Sequence, residues 1–551
     1  MVRTRRVRAM LIPSALTGPI AKGTGLLRWL PFGSRLATDA LVGLLANATE
    51  PRPRPHTLVS DYTSWISLTD PRYTGRHLPV AEPRPLPTEA EVLDLFRRPA
   101  GRARPSSDTT VLFMLFAQWF TDSFLRTERS DWRRNTSTQE IDFCQIYGIS
   151  ESRTRLLRAM QGGRLASQRM DGQEYPPFLL ERTPSGAYAV RPEFKGLHDE
   201  NWLLDVLLAD VSDRQKDLFF AVGLEHGNST VGSTAFDVLF LREHNRIAGI
   251  LADDYAAGRT APAWPAGMTP EELDERLFQT TRMIMIVLEL KLVVEEYIRH
   301  IAPYDPPLKV RPGAADGKRW NRSNWIAVEF NLLYRWHSLV PDTVTTDAGE
   351  VSAKEFLRDN NEAVVSKGIE WVLAQCSRSR ASRIGLLNTP DFLTERKRPD
   401  HPAVEERSIA LMRFARLESY NAYRQRFGLA PKASLAEVTS EPEVLRRLEE
   451  LYGDVDALEW YVGIFAEDHL DDGMMGELLT AMVGYDAFTQ ALTNPLLSSQ
   501  IFTEDTFTRT GLGVIAGTRS LQQILARNIP RPADAVAEFT YGPKQRGRRP
   551  W

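Results

Sequence analysis

Four side chains suited to proton and electron transfer lie in two stretches of this chain. In LFAQWFTDSFLRT (115–127), Gln118 and Asp122 are four residues apart. On a helix that spacing puts both on one face, one turn apart. A carboxylate so placed can do acid–base work. In EFNLLYRWHSLVPD (329–342), Tyr334 and His337 are three residues apart. A continuous helix would put these two on one face as well, offset by about 4.5 Å along the axis. A neutral imidazole among Phe330, Leu333 and Trp336 suits an axial ligand of haem iron. A phenol beside that ligand could be oxidised to a radical that abstracts hydrogen. The same histidine also fits an imidazole satisfied inside a helical core, and the residues alone leave both readings open.

The elements that must hold these groups read as helices. From Asp108 onward a helical period dominates. ELDERLFQTTRMIMIVLELKLVVEEYI (272–298) predicts one long helix, apolar enough to be nearly surrounded by protein. VLFLREHNRIAGILADDY and EPEVLRRLEELYGDVDALEWYVGIF add others. Alternating Val, Ile and Thr are scarce, so the fold class is mainly α. Residues 79–105 are Pro-rich and read as extended surface chain. Leu26–Ala46 is amphipathic in patches, with Trp29 and Phe32 beside basic residues. It can lie in a membrane interface or pack on the main domain.

Composition narrows the function. The chain has 551 residues, 42% hydrophobic and 25% charged, which is a globular composition. A net charge of -3 gives no field that would draw it to nucleic acid. Two cysteines, Cys144 and Cys376, in so long a chain argue against a disulfide scaffold and for a reducing cytoplasm. The basic N-terminus resembles a weak signal peptide, but Pro13 and Pro19 interrupt its apolar part. The apolar runs Leu112–Phe120 and Met283–Leu288 are too short to span a membrane. No internal repeat, phosphate loop, CxxC or HExxH is present.

The chain resembles the cyclooxygenase branch of the animal-type haem peroxidases. The matching stretches, in family order, begin with DYTSW (61–65), LFAQWFTDSFLRT, IYG (146–148) and DGQEYPP (171–177). LREHNR (241–246), LFQTTRMIMI, VEEYI and IAVEFNLLYRWHSLVPD follow, then YNAYRQRFGL (420–429), LEELYGDVDALEWY and NPL (494–496). The resemblance spans roughly residues 25–530, and the family's epidermal-growth-factor-like module is missing. It implies a helical fold with haem between a distal and a proximal helix. It also implies one non-covalent haem b, no calcium, an apolar substrate, and O2 or peroxide. A homodimer, and peripheral membrane contact through residues 26–46, fit the same resemblance. The expected division is an N-terminal segment and spacer (1–56), a catalytic domain (57–541) and a disordered basic tail (542–551).

By position, His337 resembles the proximal haem ligand and Tyr334 the radical tyrosine. Tyr461 resembles a tyrosine that hydrogen-bonds toward that histidine, and Trp336 resembles haem-side packing. Tyr297 resembles the tyrosine that orients the radical one, and Tyr304 the one at the channel mouth. Phe330 and Leu333 resemble channel walls. Several positions depart from the family. Gln118 is kept, but Asp122 stands where the family has its distal histidine. His226 falls where cyclooxygenases place an apolar residue over the distal haem, so it could replace the missing imidazole or be a surface residue in a Gly-rich turn. The arginine that holds a fatty-acid carboxylate becomes Ala46, and the acidic residue opposite becomes Ala481. The serine acetylated by aspirin becomes Ala487, and a glycine near the closed channel end becomes Gln490. Arg299 or Arg311 could compensate for the lost cation. Ser229 and Thr230 stand where mammalian peroxidases attach haem covalently, so ester links are not expected.

Two functions remain open on the sequence. The first is a dioxygenase in which a Tyr334 radical takes hydrogen from an unsaturated fatty acid or lipid-like substrate, which then captures O2. The second is a peroxidase or peroxygenase that oxidises a different metabolite with Asp122 and His226 in an altered distal site. A catalytically dead haem-binding scaffold is the non-enzymatic third.

Overall fold

The computed structural model describes residues 32–45 and 55–542, except 261–263, 359 and 399–400, together with residues 23, 27 and 30. The basic N-terminal stretch, Ala46 and the tail from 543 onward lie outside the described residues.

The described architecture is mainly α, with strands only in four two-stranded antiparallel pairs. One pair, Gln168–Met170 with Gln173–Tyr175, turns on Asp171 and Gly172, both at positive φ (48° and 77°). Asp-Gly is the sequence that such a tight hairpin favours. The pair Pro105–Thr110 and Arg380–Ser382 leads directly into the helix Val111–Thr121.

The helix Val231–Ala256 is central. It packs against Val111–Thr121, Pro270–Leu292 and Ile369–Arg378. Thr230 caps it by accepting the Ser233 N–H (3.2 Å), which satisfies one of the otherwise orphaned N-terminal donors. Gly232 lets the Gln118 helix approach, because a Cβ there would lie 2.8 Å from Leu115 side-chain atoms. The predicted long helix begins at Pro270 behind a Thr269–Glu272 capping box. It runs to Leu292, passes through a π turn at Val293–Tyr297 and resumes over Ile298–Ile301.

Two sequence expectations need correction. Residues 79–105 are not simply extended chain: they contain the helix Glu89–Phe96, which buries Val92, Leu95 and Phe96. The YRWH segment is not one helix. Val328–Leu333 ends before it, and a separate 3-10 turn starts at His337. Trp336 (φ −83°, ψ 48°) leaves the helical region, and Val340 is extended ahead of Pro341, which cannot continue a helix. Of the amphipathic N-terminal segment, Gly33–Leu45 is helical and packs on the helix Glu477–Leu492. No described helix is long and apolar enough to cross a membrane. Cys144 and Cys376 are free thiols, both buried.

Candidate haem-facing site

The Gln118 helix is capped by Thr110, whose hydroxyl accepts the Phe113 N–H at 3.2 Å. Ten of its eleven residues are buried, and the exposed one is Gln118. Burying Phe113, Phe116, Trp119 and Phe120 contributes roughly 1.5–3 kcal/mol each, so this helix is fixed by its aromatic faces and open on one side. Asp122 follows the last helical residue and keeps a helical backbone, its N–H bonded to the Gln118 carbonyl at 3.0 Å. The one-turn offset between amide and carboxylate is therefore present. The Asp122 carboxylate makes no hydrogen bond. Burial pushes its pKa up to about 6, while Arg126 and Arg335 pull it down and Glu225 adds to the rise.

His226 lies in the turn before the central helix. Burial lowers its pKa to about 4, Glu225 opposes that, and Arg126, Arg129 and Arg407 reinforce it. The imidazole is therefore neutral near pH 7. Its ring sits edge-on to Trp202 at 5.4 Å, and Arg129 stacks on that indole at 3.2 Å. Burial, the largest single influence, would raise the Glu225 pKa, but Arg126, His226, a backbone hydrogen bond and His198 together outweigh it and hold it at about 2. Arg126 donates to both Glu225 oxygens (2.9 and 3.0 Å) and Arg129 to one (2.9 Å). These arginines follow Asp122 in the chain, so they clamp the His226 turn to the end of the Gln118 helix.

His337 is half-buried. Its Nδ1 bonds Oε2 of Glu405 at 2.8 Å, and its Nε2 makes no hydrogen bond. Tyr461 donates to the other Glu405 oxygen, also at 2.8 Å. Tyr461 thus reaches toward His337 through Glu405, which stands between them. Glu405 was not singled out from sequence. It lies in the first turn of Val404–Phe414 beside Glu406, which pairs outward with Arg396 at 2.8 Å. Nothing in two adjacent glutamates says which one points inward.

Tyr334 caps the helix Val328–Leu333, with its ring between Phe330 (5.1 Å, perpendicular) and Trp336 (5.0 Å). Burial, and then the Asp486 carboxylate, push its phenol above the ordinary tyrosine range. Tyr297 sits at the end of the π turn, stacked on Phe113 at 5.0 Å. Its buried hydroxyl has no hydrogen-bond partner, so a hydrogen bond orienting Tyr334 is not present. Trp336 Nε1 is likewise buried and unpartnered.

Electrostatic contacts link the two groups of residues. Arg335 acts electrostatically on both Asp122 and Tyr461. Arg407, two residues beyond Glu405, acts on His226. A free imidazole nitrogen on one side and an exposed amide, an unpaired carboxylate and a neutral imidazole on the other form a donor set that fits a haem.

Phe330, Leu333 and Ala487 are buried. Gln490 is 2% exposed and leaves its Oε1 without a partner. Asp486, next to Ala487, pairs with buried His77 at 2.8 Å. Tyr304 takes a left-handed backbone (φ 66°). Arg299 and Arg311 already carry carboxylate partners, Asp305 at 2.7 Å and Asp39 respectively. Ser229 and Thr230 lie at the start of the central helix, where Thr230 serves as its cap.

Comparison with known proteins identifies the family. The family model described as "Animal haem peroxidase" matches residues 130–539. Prostaglandin G/H synthase 1 of Rattus norvegicus is 33% identical over 87% of this chain and 74% of its own length. Prostaglandin G/H synthase 2 of Gallus gallus is 30% identical over 86% of this chain and 74% of its own. A solved structure of Oryza sativa fatty acid alpha-dioxygenase superposes with a TM-score of 0.65 at 16% identity, covering 96% of both chains. Peroxidase A of Dictyostelium discoideum gives a TM-score of 0.64 at 17% identity, over 87% of this chain and 97% of its own.

Proposed function

The chain belongs to the animal haem peroxidase family and is a haem-dependent oxidoreductase, and from that premise we propose the reaction its own residues carry. It is a dioxygenase acting on an unsaturated fatty acid or lipid-like substrate, with Tyr334 as the hydrogen carrier. When bound, haem supplies an oxidant strong enough to take an electron from a phenol. His337 would hold the iron through Nε2. Gln118 and Asp122 line the opposite face, where Asp122 or neutral His226 moves the proton of an incoming peroxide. Tyr334 would lose its phenolic hydrogen, electron and proton together, to that oxidant. The resulting tyrosyl radical takes a hydrogen atom from a substrate C–H bond, which restores the phenol; the carbon radical captures O2, and the peroxyl radical takes the hydrogen atom back from Tyr334, giving a hydroperoxide and the tyrosyl radical again. Phe330, Leu333 and Ala487 keep water from that radical.

The observation that carries this reading is the phenol boxed between Phe330 and Trp336, three residues from an imidazole whose Nε2 is free. The partners already held by Arg299 and Arg311 favour a substrate whose head is neutral, or one bound in the reverse direction. A buried, unpaired carboxylate head would be too costly otherwise. The haem is b type and free of ester links: neither Ser229 nor Thr230 carries a carboxylate, and acid–ketone extraction, which should release the haem, tests the nearby carboxylate of Asp122; no calcium is required. The protein is cytoplasmic, with the exposed Leu30, Phe32 and Leu36 as a peripheral membrane contact. The division into 1–56, 57–541 and 542–551, and assembly as a homodimer, belong to the same proposal.

A peroxygenase reading is the second. It is favoured by the unpaired Asp122 and neutral His226, which together could activate peroxide without Tyr334. One pair of variants separates the readings. His337→Ala should abolish the Soret band at equal expression. Tyr334→Phe should keep that band and lose oxygenation of a lipid panel by orders of magnitude, measured by mass spectrometry. Unchanged product from Tyr334→Phe would hand the case to the second reading.

A further inference from the structure

We propose that Glu405 is the positioning residue of the iron-facing imidazole and the group that sets its donor strength. This rests on the assignment of His337 as the axial ligand. Glu405 accepts the Nδ1 proton of His337 at 2.8 Å, and that contact fixes both the ring plane and the tautomer. The tautomer with hydrogen on Nδ1 leaves the Nε2 lone pair bare for the iron. A carboxylate behind a metal-bound imidazole draws the Nδ1 proton toward itself, makes the ring electron-rich and favours the higher oxidation state of the metal.

The second oxygen of Glu405 is engaged as well. Tyr461 donates to it at 2.8 Å and is itself fully buried. That donation draws negative charge away from the oxygen facing His337, so Tyr461 tempers the effect of Glu405. The carboxylate is 1% exposed. The Thr389 hydroxyl also donates to the oxygen facing His337, at 3.5 Å, and a buried carboxylate so held has its acceptor sites oriented by the fold rather than by water. It also lies in the first turn of Val404–Phe414, where a negative charge meets the positive end of the helix. Glu406 does not share this role, since it points out to Arg396.

A role confined to packing predicts that any loss at Glu405 or Tyr461 loosens the ring in the same way. A role in donor strength predicts shifts of opposite sign. The measurements are the iron–histidine stretching frequency of the ferrous holoenzyme, by resonance Raman, and the Fe(III)/Fe(II) midpoint potential. Glu405→Gln should lower the stretching frequency and raise the midpoint. Tyr461→Phe should do the reverse, because it frees the Glu405 charge for His337. Glu405→Asp should fall between wild type and Glu405→Gln. Wild-type values in Glu405→Gln with haem bound, or equal-signed shifts in the two variants, would overturn the proposal. Should Glu405→Gln fail to accumulate, Tyr461→Phe decides alone, and a raised midpoint there counts against Glu405. A histidine–iron stretch that survives His337→Ala would instead overturn the ligand assignment.

Discussion

Asp122 is a part-buried acid whose carboxylate has no hydrogen-bond partner. Its folded pKa of about 6 lies above the unfolded value of about 3.9. The fold therefore disfavours the ionised form, and the native state bears a cost at pH 7 that disappears as pH falls below about 4, where both states are protonated. Asp122→Asn should raise the stability of the haem-free protein at pH 7 by about 1–3 kcal/mol and leave it unchanged near pH 4. The same variant should lower peroxide-driven turnover by roughly a hundredfold and remove the loss of activity on acidification through pH 6. Thermal melts and a pH–rate profile read the two effects; a variant neither more stable nor slower would mark Asp122 as a bystander. The shared face of Gln118 and Asp122 was readable in the sequence because the helical period fixes it. Glu405 was not, because inward and outward glutamates look alike until the helix is docked.

Secondary structure was most readable where one period ran long. The apolar pattern over 272–298 gave the helix, but not the π turn that ends at Tyr297, since one extra residue per turn leaves no compositional trace. The helix Glu89–Phe96 carried a readable signal, Thr88 followed by Glu91 before an apolar run, and the surrounding prolines obscured it. The break at Tyr334 comes from Trp336, whose backbone leaves the helix while its type suggests nothing unusual. One contact between elements controls the site directly. Gly232 is the point where the central helix meets Leu115 of the Gln118 helix. Gly232→Val should push that helix away, lower stability by about 1–3 kcal/mol and weaken peroxide turnover more than haem binding. Differential scanning calorimetry with haem titration reads this. Unchanged melting and turnover would mean that the interface yields without moving Gln118.

Across the whole molecule, the helix Gly33–Leu45 joins the surface to the helix Glu477–Leu492. Its inner side is tied down by Thr38, which accepts the Lys309 N–H at 3.0 Å, and by Asp39 with Arg311. Outward it shows Leu36, 51% exposed, with Phe32, 80% exposed, just ahead of it. An apolar strip beside the basic Arg35 suits the boundary between headgroups and acyl chains. Phe32→Glu with Leu36→Glu should reduce co-sedimentation with anionic lipid vesicles several-fold while leaving haem content unchanged. Equal sedimentation of variant and wild type would remove this helix from any membrane role. That the segment is amphipathic was plain from sequence; which side it would bury depended on Glu477–Leu492, more than four hundred residues later.

The two thiols offer a clock for the motion of the distal wall. Cys144 donates to the carbonyl of Ser123, the residue after Asp122, at 3.2 Å, and Cys376 lies on the helix Ile369–Arg378 packed against the Gln118 helix. Burial pushes both thiols above their ordinary range, so neither forms the nucleophilic thiolate while the protein stays closed. A disulfide reagent should label each one only at the rate of its local opening. Mass-resolved labelling then reports how often the Gln118 helix lifts. If haem rests against that helix, its addition should slow Cys144 more than Cys376.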